Sequence, residues 1–177
     1  MSYLRFAMMI ATSTLVMFGL MYLNIYASDH VLYSQTRMWM ALLMGAVMAI
    51  IMLLFMRGMY KDRRANIAIL AGSAVVAAAS LWLVRSQATV GDVAYMKAMV
   101  PHHSIAILTS ERARIRDPRV RRLADQIIEA QLREIAEMST LIASLQRNPP
   151  ATDAPDLPLR DPGEASQSRS ATTPRER

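Results

Sequence analysis

The chain has no cysteine among its 177 residues, which removes disulfides, thiolate zinc sites and iron–sulfur clusters from consideration. Histidine is nearly as scarce. Only three occur, at His30, His102 and His103, so a site built on imidazole alone has one adjacent pair to work with. Aromatic residues make up 6% and do not interleave with the basic residues, so no base-stacking surface for nucleic acid is expected. Charge is missing from long stretches before residue 85: Met38 to Met56 is nineteen uncharged residues and Ile67 to Val84 is eighteen. There is no nucleophile–base constellation, and the carboxylates fall short of the paired Glu-x-x-His motifs of a di-iron centre. An enzyme is therefore not expected.

What is present is apolar surface and methionine. The hydrophobic residues, 53% of the chain, are concentrated in its first half. Three spans of the bilayer are expected, at about 6–27, 38–56 and 67–84; even the shorter second and third, at 1.5 Å rise per residue, reach about 27–28 Å against a hydrocarbon core of ~30 Å. The connection after the second run carries Arg57, Lys61, Arg63 and Arg64, whereas the one before it carries only Arg37 beside Asp29 and His30. The positive-inside rule then puts the N-terminus, with Arg5, in the cytoplasm and everything after Arg85 on the extracytoplasmic side. The first run is read as a retained span rather than a signal peptide, since it is long and other spans follow it. Residues 1–86 become a three-helix anchor in a bacterial cytoplasmic membrane, facing the periplasm with the rest. In that oxidising space thioether and imidazole are sensible metal ligands.

The chemistry lies in Asp92-x3-Met96-x2-Met99-x2-His102-His103. At about 100° per residue these five side chains fall within an arc of about 120° on one helix. Thioether sulfur and neutral imidazole suit Cu(I) or Ag(I), and the oxygen cage required by Ca or Mg is missing. Pro101 inside this helix removes one backbone hydrogen bond and bends the axis beside the histidines. The ordinary alternative is that Met at helical spacing fills a core and the histidines are satisfied packing residues.

A break at Arg116-Asp117-Pro118-Arg119 divides residues 88–147 into a helical hairpin, with Asp117 as cap and Pro118 in the first helical position. Ile127, Ile128, Ile135, Met138, Leu141, Ile142 and Leu145 give the second helix its apolar stripe. Pairing positions whose numbers sum to about 233 faces Gln131 to His102, Glu134 to Met99, and Met138 to Tyr95 or Met96. Met138 becomes a third thioether, and Glu134 or Gln131 a partner that orients a histidine. Two helices bury too little to stand alone. Homodimerisation into a four-helix bundle is expected, with packing on the membrane helices as the monomeric alternative.

The sequence from Met96 to Ala106, followed by Leu123-Ala124-x2-Ile127-x3-Gln131-x2-Glu134-Ile135-x2-Met138, resembles the family called domain of unknown function 305, over roughly Gly91 to Leu145. The resemblance implies a ferritin-like, exported, four-helix fold that binds copper or silver through Met96, Met99, His102, His103 and Met138. Longer members carry a second His-His hairpin that is absent here, and Leu108 and Thr109 stand where relatives often add methionine.

Other features are read more plainly. Methionine recurs every fourth residue from Met40 to Met56, but an i+4 repeat drifts about 40° per step, which argues against a straight ladder for metal conduction and for lipid contact and helix packing. His30 is expected to be a solvated loop residue, since no spacing ties it to the hairpin. The arginines between Arg112 and Arg122 are expected to form a solvated tip or to meet an anionic surface, and nucleic acid is not an expected partner. Residues 148–177, which hold six of the eight prolines, are expected to be disordered. The expected function is capture of Cu(I) or Ag(I) at the membrane for tolerance, storage or handover to a metal-handling partner. A structural assembly protein is the alternative, and a transport component the lesser one.

Overall fold

The computed structural model describes residues 2–151 and 153–158. Among these residues every regular element is helical: α1 (Tyr3–Leu20), a 3-10 turn at Ser28–His30, α2 (Gln35–Phe55), α3 (Arg63–Ser86), α4 (Asp92–Arg112) and α5 (Pro118–Arg147). The all-α expectation is borne out, and α1, α2 and α3 are long and apolar enough to cross a membrane. The compact unit that contains them ends at Arg147. From Asn148 to Pro158 the described residues hold no regular element, and the rest of the expected tail lies outside the described residues.

Side chains at the helix starts explain the boundaries. Ser34 accepts from the Arg37 amide at 3.3 Å, and the Asp62 carboxylate accepts from the amides of Arg64 and Ala65 at 2.9 and 3.1 Å, satisfying donors that the first turn leaves unpaired. The first span was expected to run to residue 27, but α1 stops at Leu20. The chain tightens there through i→i+3 bonds from Tyr22 and Leu23, and the Arg37 guanidinium donates to the Met21 carbonyl at 2.8 Å while lying over the Tyr22 ring at 4.5 Å. A cation on the terminal carbonyls opposes continuation by supplying the partner that another turn would have given.

Helix α2 is the centre of the apolar unit, packed against α1 on one side and α3 on the other. Its buried residues Ala41, Gly45, Ala49 and Leu53 recur every fourth position, one residue after each methionine of the Met40–Met52 series. Small residues on this stripe let a backbone approach closely. At Gly45 the approach is at its limit, because a Cβ there would collide with the Thr14 hydroxyl of α1. The N-terminal ends of α1 and α3 are tied by aromatic and amide contacts. Tyr60 lies 5.0 Å from Tyr3 and 5.6 Å from Phe6 between ring centroids, and the Tyr3 hydroxyl donates to Asn66 Oδ1 at 2.9 Å.

Helices α4 and α5 form the antiparallel hairpin. Its core is Met96, Val100 and Ile107 from α4 against Ile135, Met138 and Ile142 from α5, with Leu32 of the α1–α2 connection packed on it. Asp117 caps α5 through the Arg119 amide at 2.7 Å, followed by Pro118 in the first helical position. The two helices bury differently. On α5 the buried Ala124, Ile135, Met138 and Ile142 share one stripe, whereas α4 also buries Pro101 and Ser104, which lie to one side of the face turned toward α5.

Candidate functional site

The second buried side of α4 is where the hairpin meets the rest of the chain. Ser104 is fully buried. Its Oγ accepts from the Tyr26 amide at 2.9 Å and lies 2.9 Å from His30 Nδ1. A hydroxyl can pair with a ring nitrogen while an oxygen lone pair receives the amide, so one side chain serves both partners. Farther along α4, the Tyr26 hydroxyl reaches Glu111 at 3.4 Å. His30 was expected to be solvated. Instead it is half-buried against α4, because the short 3-10 turn at Ser28–His30 folds the α1–α2 connection onto the hairpin. Nothing in the spacing of His30 reveals this contact; the available signal was Ser104, a polar residue between the apolar positions Val100 and Ile107.

The side of α4 facing α5 gathers part of the expected metal set. Met96 and Met138 are both buried in the hairpin core, and Met99 packs against the same cluster. His103 follows Met99 by one helical turn on that side. Its Nε2 lies 3.6 Å from Glu134 Oε2, whereas its Nδ1 and the Gln131 Oε1 are buried with no hydrogen-bond partner. Orphaned buried polar atoms are uncommon and ask for a partner. Burial holds the His103 imidazole below its usual range; the Glu134 carboxylate opposes that shift and neighbouring His102 adds to it. The neutral form, which is the metal-binding form, is thereby favoured.

His102 and Asp92 do not join this group. Both are exposed, and the His102 ring centroid stands 6.2 Å from that of His103. The reason is rotational. Val100 and Ile107 draw the buried face toward the side of Met96 opposite His102, which leaves His102 about 120° away from Met96 at 100° per residue. Asp92 opens the helix, where a solvated carboxylate interacts favourably with the free amides and the macrodipole.

The side-chain pairing across the hairpin also differs from expectation. Glu134 meets His103 rather than Met99, an offset of about one turn. In an antiparallel pair each Cα–Cβ bond tilts toward its own N-terminus, so His103 leans away from the turn and Glu134 leans toward it. Side chains four positions apart in the backbone register therefore touch.

Chemically, the arrangement offers thioethers on two helices and one partly buried imidazole with a carboxylate 3.6 Å from it. Among the described residues no group of three or more His, Asp or Glu converges. The side chains that meet at this place are thioethers and one imidazole.

Residues 92–176 match the family model described as a domain of unknown function (DUF305), with the three apolar helices outside the match. An uncharacterized protein of Acanthamoeba polyphaga mimivirus is 41% identical over 64 residues, covering 35% of this chain and 42% of that protein. The chain thus spans less than half the length of that relative. No solved structure matches.

Proposed function

We propose, for a chain whose residues 92–176 belong to the family of the domain of unknown function (DUF305), that the hairpin captures a soft monovalent metal ion, Cu(I) or Ag(I), as cargo. The observation that carries the reading is the meeting of Met96, Met99 and Met138 in one core beside His103, whose buried Nδ1 has no protein partner. Thioethers bind Cu(I) without deprotonation, and a neutral imidazole adds a nitrogen donor. Glu134 Oε2 lies 3.6 Å from the other ring nitrogen and favours one orientation of the histidine, and Gln131, three positions before it on α5, carries a buried acceptor with no partner. The apolar helices α1 to α3 anchor the hairpin in a bacterial cytoplasmic membrane, with the basic Arg57–Arg64 connection on the cytoplasmic side and the hairpin in the periplasm. The role is metal tolerance, storage or handover to a second metal-handling protein.

A second reading has its own support. Leu123 and Leu141 lie eighteen positions apart, hence on one line of α5, and remain 56% and 44% exposed. A second copy laid along that flank would complete a four-helix bundle, and its approach would cover exposed apolar surface whether or not metal is bound.

Competitive titration of the full chain in detergent with Cu(I), against a chromogenic chelator, tests the reading, with Met138→Leu and His103→Leu beside it. Leucine conserves the volume of methionine and keeps the core packed. Saturable binding weakened about tenfold or more by each substitution is the expected result, with metal-induced stabilisation growing by mass action. Unchanged or absent binding with an intact fold would overturn it and leave the assembly domain.

A further inference from the structure

The arginines of the α4–α5 turn are unusual in number and in position. Arg112, Arg114, Arg116 and Arg122 are exposed, and among the described residues none has a carboxylate within ion-pair distance; Arg119 and Arg121 are taken up by Asp117 and Asp125 at 2.8 Å each. Four unpaired cations within eleven residues repel one another and call for an anionic partner.

Where that turn sits decides which partner. Tyr26 follows the end of α1 by six residues and His30 precedes α2 by five, and the intervening chain is itself turned, so both lie close to the ends of the apolar helices. Ser104, midway along α4, bonds to both. Helix α4 therefore lies against those ends instead of projecting away from them. Glu111 is held to the Tyr26 hydroxyl, and the arginine-bearing turn begins at the next residue. The same connection contains Tyr22, Tyr26 and Tyr33, the residue type that collects at the membrane–water boundary.

We infer that the Arg112–Arg122 turn docks on anionic phospholipid headgroups of the leaflet into which the ends of α1 and α2 emerge. Guanidinium groups pair with phosphate through parallel hydrogen bonds, and the negative surface of such a leaflet attracts basic segments lying within a Debye length of it. The latch at Ser104 sets the depth, the arginines take the headgroups, and the hairpin is pinned along the surface at two points. The inference rests on the membrane-anchored reading but not on metal binding.

The full chain in phosphatidylcholine nanodiscs is compared with the chain in nanodiscs that also contain phosphatidylglycerol, by amide hydrogen exchange. Incorporation into discs is scored first. In the anionic discs, exchange over 112–122 is expected to slow by about fivefold or more, to recover at high salt, and to lose the effect in the R112Q/R114Q/R116Q/R122Q variant while α1 to α3 stay protected. Equal exchange in both discs, or slowing retained in the variant, overturns the inference alone. Slowing by inorganic phosphate in phosphatidylcholine discs overturns the headgroup assignment in favour of a free-anion site. Failure of the chain to incorporate overturns the anchor itself, and this inference with it.

Discussion

Replacing Ser104 with alanine should loosen the hairpin from the helices that carry it. The side chain is fully buried, and its oxygen makes two contacts of 2.9 Å, from the Tyr26 amide and with His30 Nδ1. A neutral hydrogen bond contributes about 1 kcal/mol net, so losing both costs about 2 kcal/mol, with the stranded Tyr26 amide acting in the same direction. Alanine has a higher helix propensity than serine, which offsets only a few tenths of a kcal/mol. The effect is local. Amide exchange at Tyr26 should accelerate by about thirtyfold, the factor that ~2 kcal/mol represents, whereas exchange in the α2–α3 pair should not change. His30→Ala leaves the Tyr26 bond in place and should give roughly half the loss. If Tyr26 exchange is the same in Ser104→Ala as in the parent chain, the latch does not hold α4 and the reasoning fails.

Two further substitutions probe other parts of the fold. Gly45→Val should destabilise the α1–α2 contact by about 1–3 kcal/mol, since its Cβ meets the Thr14 hydroxyl and a β-branched neighbour has little rotamer freedom in a helix; unfolding in detergent should show the loss, and Thr14→Ala should restore part of it. The depressed His103 pKa gives a pH dependence of definite sign. Unfolded, the imidazole titrates near 6.5; folded, it titrates lower, so between the two values the unfolded chain holds more protons. Stability should therefore fall as pH drops below about 6.5, level off below the folded pKa, and show no His103 contribution above the unfolded value. A denaturation series across that range should lose this slope in His103→Gln, and an unchanged slope would remove burial of His103 as its cause.

Much of the architecture was legible in the chain. The apolar runs, the capped break at Asp117-Pro118 and the methionine spacing before His102 are local patterns, and each is a statement about neighbours a few residues apart. Met96, Met99 and His103 share one side of α4 because helical periodicity aligns them. The same arc took in His102, which stands exposed. An arc drawn through chosen residues has no information about where the partner helix lies, and Val100 and Ile107 moved that direction. The stop of α1 at Leu20 was hidden for a related reason, because the group that closes it, Arg37, comes from the far side of the connection.

By itself the sequence determined helix type, the three membrane-length apolar segments, the hairpin and the thioether and imidazole residues that share a side of α4, since composition and period act through nearest neighbours. Only the tertiary structure decided which of those side chains are buried together, that His30 and Tyr26 are joined to Ser104, and that α4 buries two sides while α5 buries one. These depend on residues separated by more than thirty positions, and at the Ser104 contacts by more than seventy, whose meeting is set by how whole helices pack. No local pattern encodes that distance.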